Sequence, residues 1–71
     1  MKWSLARKKP VVVEFREVIP NNDSQVTETI KTREGSLLGY LGRDVIIRGV
    51  EGEIYPCDKK IFAKTYSVLK D

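Results

Sequence analysis

Asp44-Val45-Ile46-Ile47-Arg48-Gly49-Val50-Glu51-Gly52-Glu53-Ile54-Tyr55-Pro56-Cys57 decides the fold of this chain. Two runs rich in β-branched and aromatic residues meet at Glu51-Gly52, where a turn residue interrupts them, and this pattern reads as a hairpin. With Glu51-Gly52 as a two-residue loop, Gly49 falls opposite Ile54, and Val45, Ile47 and Ile54 share one face. The other face then carries Ile46, Arg48, Val50, Glu53, Tyr55 and Cys57. Pro56 cannot donate a ladder hydrogen bond, which sets the last strand at an edge or ends it there.

Beyond Cys57 the period changes. Asp58 is a helix N-cap residue, and Ile61, Phe62, Thr65, Tyr66 and Leu69 recur at helical spacing as one apolar stripe. The spacing predicts a helix over 58–70, with Lys59, Lys60, Lys64 and Lys70 toward solvent.

Toward the N-terminus the hairpin device repeats. Val26 to Arg33 alternates, with Val26, Glu28, Ile30 and Thr32 on one face, and Glu34-Gly35 supplies a turn. A two-residue loop there pairs Thr32 with Leu37 and Ile30 with Gly39, and puts Ile30, Leu37 and Leu41 on a common face. Before it, Val11 to Ile19 reads as a further strand, with Val11, Val13 and Phe15 together, closed by the polar loop Pro20-Asn21-Asn22-Asp23-Ser24. The expected fold is mainly β with one C-terminal helix. About five short antiparallel strands form a curled sheet or a small SH3-like barrel.

A chain of 71 residues is one domain with one small core. About ten buried apolar side chains, each contributing about 1.5–3 kcal/mol, must offset the ordering entropy, so most large apolar residues are needed inside. Self-association would relieve that demand. The net charge of +3 is unevenly placed: Lys2, Arg7, Lys8 and Lys9 sit in an acid-free stretch, while residues 10–71 hold nine basic and ten acidic residues. The chain therefore divides into a basic, flexible arm at 1–9 and a nearly neutral β-rich domain at 10–71, with Pro10 between them.

One cysteine, Cys57, and no histidine exclude an intramolecular disulfide and remove the usual zinc ligands and imidazole bases. Together with the lack of any long apolar run or signal-peptide h-region, this composition fits a soluble, cytoplasmic protein without a membrane span. No cofactor, metal ligand set or small-molecule substrate is implied, and Cys57 has neither an activating base nor a resolving thiol. The carboxylate pairs Glu51 with Glu53 and Asp44 with Asp58 suit turn, cap and surface roles in so small a chain. The glycines match no phosphate-binding fingerprint.

The block from Asp44 to Tyr66 resembles the C-terminal signature of small, mostly uncharacterised phage and prophage proteins. Their pattern runs Pro-Gly-Asp, an aromatic, two β-branched residues, Gly-Val-x-Gly-Glu-x-Tyr-Pro-Cys, then Ile-Phe-x-x-Thr-Tyr. Asp44, Ile46, Ile47, Gly49, Val50, Gly52, Glu53, Tyr55, Pro56, Cys57, Ile61, Phe62, Thr65 and Tyr66 match it. Gly42-Arg43 stands where that pattern has Pro-Gly, and Val45 replaces the aromatic. A looser echo lies in Ile30-Lys31-Thr32-Arg33-Glu34-Gly35. The resemblance implies a phage or prophage origin and a shared fold, and no activity.

Two surfaces remain as candidates. Arg48, Glu53, Tyr55 and Pro56 form either a protein-contact patch or a structural cluster in which Glu53 balances Arg48. Lys2, Trp3, Arg7, Lys8 and Lys9 combine phosphate-seeking charge with a stacking surface, or form a solubilising terminus whose Trp3 docks on the body. The function expected is a noncatalytic accessory or structural protein acting through a protein partner or self-association. The alternative is a small nucleic-acid-binding protein using the arm and the barrel surface.

Overall fold

The computed structural model describes residues 2–69. Its elements run β1 (Glu14–Glu17), β2 (Thr27–Thr32), β3 (Gly35–Tyr40), β4 (Asp44–Arg48), β5 (Ile54–Asp58) and α1 (Lys59–Thr65). β4 is the centre of a three-stranded antiparallel sheet in the order β1-β4-β5, and β2 and β3 form a separate hairpin. The mainly β fold with a C-terminal helix is as the sequence predicts. The barrel alternative is not realised: the two sheets face each other without closing.

Three layers result. Ile46 projects from one face of the central sheet to meet Val18 and Ile30, under the β2–β3 hairpin. Val45 and Ile47 project from the other face to meet Phe62 of α1, with Val13, Tyr55, Cys57 and Tyr66 packed around them. β4 is thus covered on both sides. That is why Val45-Ile46-Ile47 is a continuous apolar run with every residue buried, where a one-sided strand would alternate.

The second hairpin departs from its expected register by one residue. Arg48 pairs with Ile54, Ile47 with Tyr55 and Val45 with Cys57. The loop has three residues, Val50-Glu51-Gly52: Gly52 N–H donates to Gly49 C=O (3.0 Å), Gly49 N–H donates to Glu53 C=O (2.8 Å), and Gly52 sits at φ +83°. A turn followed by one left-handed glycine is the preferred three-residue hairpin loop. Because side chains alternate, the single step exchanges faces. Ile54 and Pro56 join Ile46 and Arg48, while Tyr55 and Cys57 join Val45 and Ile47.

The first hairpin slips by two residues, which preserves faces. Thr32 pairs with Gly35 and Ile30 with Leu37, across the loop Arg33-Glu34. Thr32 closes it early: its hydroxyl donates to Gly35 C=O (2.7 Å) and accepts from Glu34 N–H (3.2 Å).

β1 is shorter than the expected Val11–Ile19. Glu14 lies opposite Arg48, the last residue of β4, so Val11–Val13 overhang the sheet with no strand to pair with. Past Glu17, Val18 turns into the hairpin layer.

The helix also stops early, at Thr65 rather than 70; Lys70, assigned to its solvent side, lies outside the described residues. Tyr66 adopts extended backbone (φ −126°, ψ 151°). Its ring stacks on Phe62, with centroids 5.2 Å apart. Of the expected stripe only Phe62 is buried, Tyr66 is half-buried, and Ile61, Thr65 and Leu69 are exposed. Asp58 caps as expected, accepting from Lys60 N–H (2.7 Å) and Ile61 N–H (3.4 Å) through Oδ1. Asp58→Ala is expected to cost about 1 kcal/mol. In urea denaturation the midpoint falls while Phe62 and Tyr66 lose their amide dispersion first.

Candidate protein-contact surface

The core is smaller than composition requires. Val18, Ile30, Val45, Ile46, Ile47 and Phe62 are the buried apolar residues among those described, and sixteen large apolar residues are exposed. The expectation that most of them lie inside is not met. β1, the overhang before it and the tail after α1 carry part of this surface: Val11, Val12, Phe15, Val68 and Leu69. Together with Phe62, Thr65 and Tyr66 they line a groove of about 690 Å³. Phe15 forms its inner wall, its ring 4.7 Å from that of Phe62.

The four residues of the sequence-derived contact patch do not converge. Arg48 projects on the hairpin side, where its guanidinium donates to both carboxylate oxygens of Glu14 at 2.7 Å. Its partner is therefore Glu14, not Glu53. Glu53 folds back over its own turn, accepting from Glu51 N–H (2.9 Å), and occupies the space where a side chain at position 49 would lie. Tyr55 faces the helix, half-buried beside Tyr66, and its phenol is pushed up by burial first and by Tyr66 second. Pro56 lies against β3 near Gly39. Arg48 and Ile54 instead line a shallow depression of about 200 Å³ together with Glu14, Phe15, Arg16 and Ile46.

In the arm, Lys2, Trp3, Arg7, Lys8 and Lys9 are all exposed. Trp3 is 89% exposed and does not dock on the body. Lys8 contacts the domain, its ammonium 4.0 Å from the centre of the Tyr66 ring. Arm and tail thus meet at one end of the groove.

Two charged residues with large structural roles stand outside the sequence-derived sites. Glu28, on β2 of the hairpin, is 6% exposed. Arg16 donates to it twice, at 2.8 and 2.6 Å, and Ile19 N–H donates at 2.8 Å. Its place on the Ile30 face was the signal: a carboxylate on a core face needs a cation. Asp44 is equally buried, accepting from Tyr40 N–H (2.8 Å) and from Arg43, whose guanidinium also lies 4.1 Å from the Tyr40 ring centre. The carboxylate pairs are thereby accounted for. Asp44 and Asp58 are cross-strand partners, yet one closes a turn and the other caps a helix.

Both buried carboxylates titrate low. At Glu28 the Arg16 hydrogen bonds outweigh the cost of burial, with Ile19 N–H adding to them. At Asp44 burial opposes ionisation, but Arg43 and Tyr40 N–H overcome it. Folded values below the unfolded ones, about 4.3 for Glu and 3.9 for Asp, mean their stabilisation is complete above that range. It is lost as pH falls through the folded values. Urea midpoints are therefore expected to hold from pH 7 to 5 and to drop below pH 4, and Glu28→Gln should flatten that drop.

Burial first, then Asp58 and Asp44, push the Cys57 thiol up, so it stays protonated at neutral pH. Among the described residues no group of three or more Cys, Asp or Glu side chains is placed to hold a metal ion. No helix there is long and apolar enough to cross a membrane. Comparison with known proteins finds no similarity: no protein family, curated protein or solved structure matches the chain.

Proposed function

We propose that this chain is a noncatalytic accessory or structural protein, of the phage or prophage kind its Asp44–Tyr66 block resembles, that works by protein–protein contact. The observation that carries this reading is the groove between β1 and the C-terminal tail, along which Val11, Val12, Phe15, Val68 and Leu69 stay exposed. Large apolar side chains left exposed along one groove of so small a domain favour a site that another protein covers. The acid–base and nucleophilic candidates are engaged in turns, caps and packing, which supports a noncatalytic role. The nucleic-acid reading draws on the exposed Trp3 among four cations, yet few phosphate contacts are on offer there.

Photo-crosslinking in cells tests the reading, with benzoylphenylalanine at Val12, beside the groove, and at Lys31, remote from it. Protein adducts from position 12 and none from position 31 are expected. Nucleic-acid adducts, or no adducts from position 12, would overturn it.

A further inference from the structure

We infer that the groove is filled by the same segment of a second copy, β1 pairing antiparallel with its own counterpart across a two-fold axis at Phe15. This rests on the protein-contact reading and names its partner. Three features of β1 converge on it.

First, β1 is an edge strand. β4 occupies one side of it, its other side has no strand neighbour, and Val11–Val13 run on beyond the end of β4. Such an edge presents unpaired backbone donors and acceptors that another strand can complete. Natural edges are blunted by proline, by charged side chains, lysine above all, or by a bulge, and the charges of β1 are of both signs. Val-Val-Val-Glu-Phe-Arg-Glu contains no proline and no lysine, and Pro10 stands just before it.

Second, the charges are self-complementary. Centring the pair on Phe15 sets Glu14 opposite the second copy's Arg16, and Arg16 opposite its Glu14. Within one chain Glu14 already holds Arg48, and Arg16 already holds Glu28. Across the axis the order becomes Arg48, Glu14, then the second copy's Arg16 and Glu28, alternating in sign throughout. A register one residue away would place Glu14 opposite Glu17 or Phe15 and lose this alternation.

Third, the opposite face carries Val11, Val13 and Phe15, with Glu17 held at its rim by Lys59 (2.9 Å), and has a receiving site. Phe15 points to the helix side, and directly opposite it the second copy's Phe15 would enter the groove against Phe62, Tyr66, Val68 and Leu69. The two central sheets would join into one six-stranded sheet with a buried seam. An isologous contact of this kind closes on itself and leaves no further edge at β1.

The test combines sedimentation equilibrium with isotope-filtered NOE spectroscopy on a mixture of labelled and unlabelled full-length chains. A dimer is expected, with intermolecular contacts from Phe15 to Phe15 and from Glu14 to Arg16. Glu14→Arg places like charges opposite each other twice per dimer and should weaken association roughly tenfold or more. Within the chain it replaces the exposed Glu14–Arg48 pair by two facing cations at the sheet's rim, so its amide spectrum is recorded alongside and should remain that of a folded domain. Glu14→Gln should dimerise nearly as well as the parent. A monomer at millimolar concentration would overturn the self-pairing, as would a dimer whose intermolecular contacts lie elsewhere and which Glu14→Arg leaves intact. Either result would leave the protein-contact reading to the crosslinking at Val12, where adducts to other proteins would uphold it.

Discussion

Ile47→Ala is expected to remove about half of the domain's stability at 25 °C. Ile47 is 1% exposed and the largest side chain that is fully buried, packed between β4 and Phe62. Truncating such a residue costs about 2–5 kcal/mol through lost burial and the cavity left behind. A domain of this length has roughly 4–10 kcal/mol of total stability. The loss therefore consumes a large share of it, and urea denaturation followed by far-UV dichroism should show a midpoint lowered by about half. Ile61→Ala is the control. Ile61 belongs to the same sequence stripe as Phe62 but is 59% exposed, and its truncation should change stability by less than about 0.5 kcal/mol.

Gly39→Val is expected to separate the hairpin from the central sheet. A Cβ at position 39 would meet Ile46 Cδ1 at 2.9 Å, Val18 Cγ2 at 3.2 Å and Pro56 Cβ at 3.4 Å. Neighbours thus close on it from β4, β5 and the segment after β1, so the two further methyl groups of valine meet packed atoms. Overpacking of this kind costs about 1–3 kcal/mol. The damage should be local to one layer. Amide hydrogen exchange should accelerate across Thr27–Tyr40, while protection in β4, β5 and α1 falls less. Equal loss in every element would contradict the layered description, in which the hairpin meets the sheet through Val18, Ile30 and Ile46 while Phe62 holds the other face.

The contrast between positions 47 and 61 shows what sequence could and could not supply. Element types were legible because β-branched alternation, turn glycines and a capping aspartate are local signals. Five strands and a capped helix followed from them. Register was less so. Glu51-Gly52 marks a hairpin, but whether its loop has two residues or three depends on where Gly52 takes its left-handed conformation. That single step moves Tyr55 to the helix side and leaves Arg48 on the other, so the contact patch inferred from their adjacency divides between two faces. The partner of Arg48 was hidden for a related reason: Glu14 lies thirty-four positions away and meets it only because β1 pairs with β4. Strand order of that kind comes from the packing of layers, not from any local pattern. The groove was likewise invisible, since it needs the helix to stop at Thr65 and the tail to turn back beside Val11–Phe15.

The central claim is that this protein works through its β1 edge and groove rather than through its basic arm. One series of amide NMR spectra tests it, recorded over a range of protein concentration and then with a mixed pool of DNA and RNA at low and moderate salt. Concentration-dependent shifts at Val11–Glu17 and Tyr66–Leu69, with no response to nucleic acid, are the predicted result. Salt-sensitive shifts at Lys2, Trp3, Arg7, Lys8, Lys9 and Arg48 on adding nucleic acid, with residues 11–17 unmoved by concentration, would contradict it.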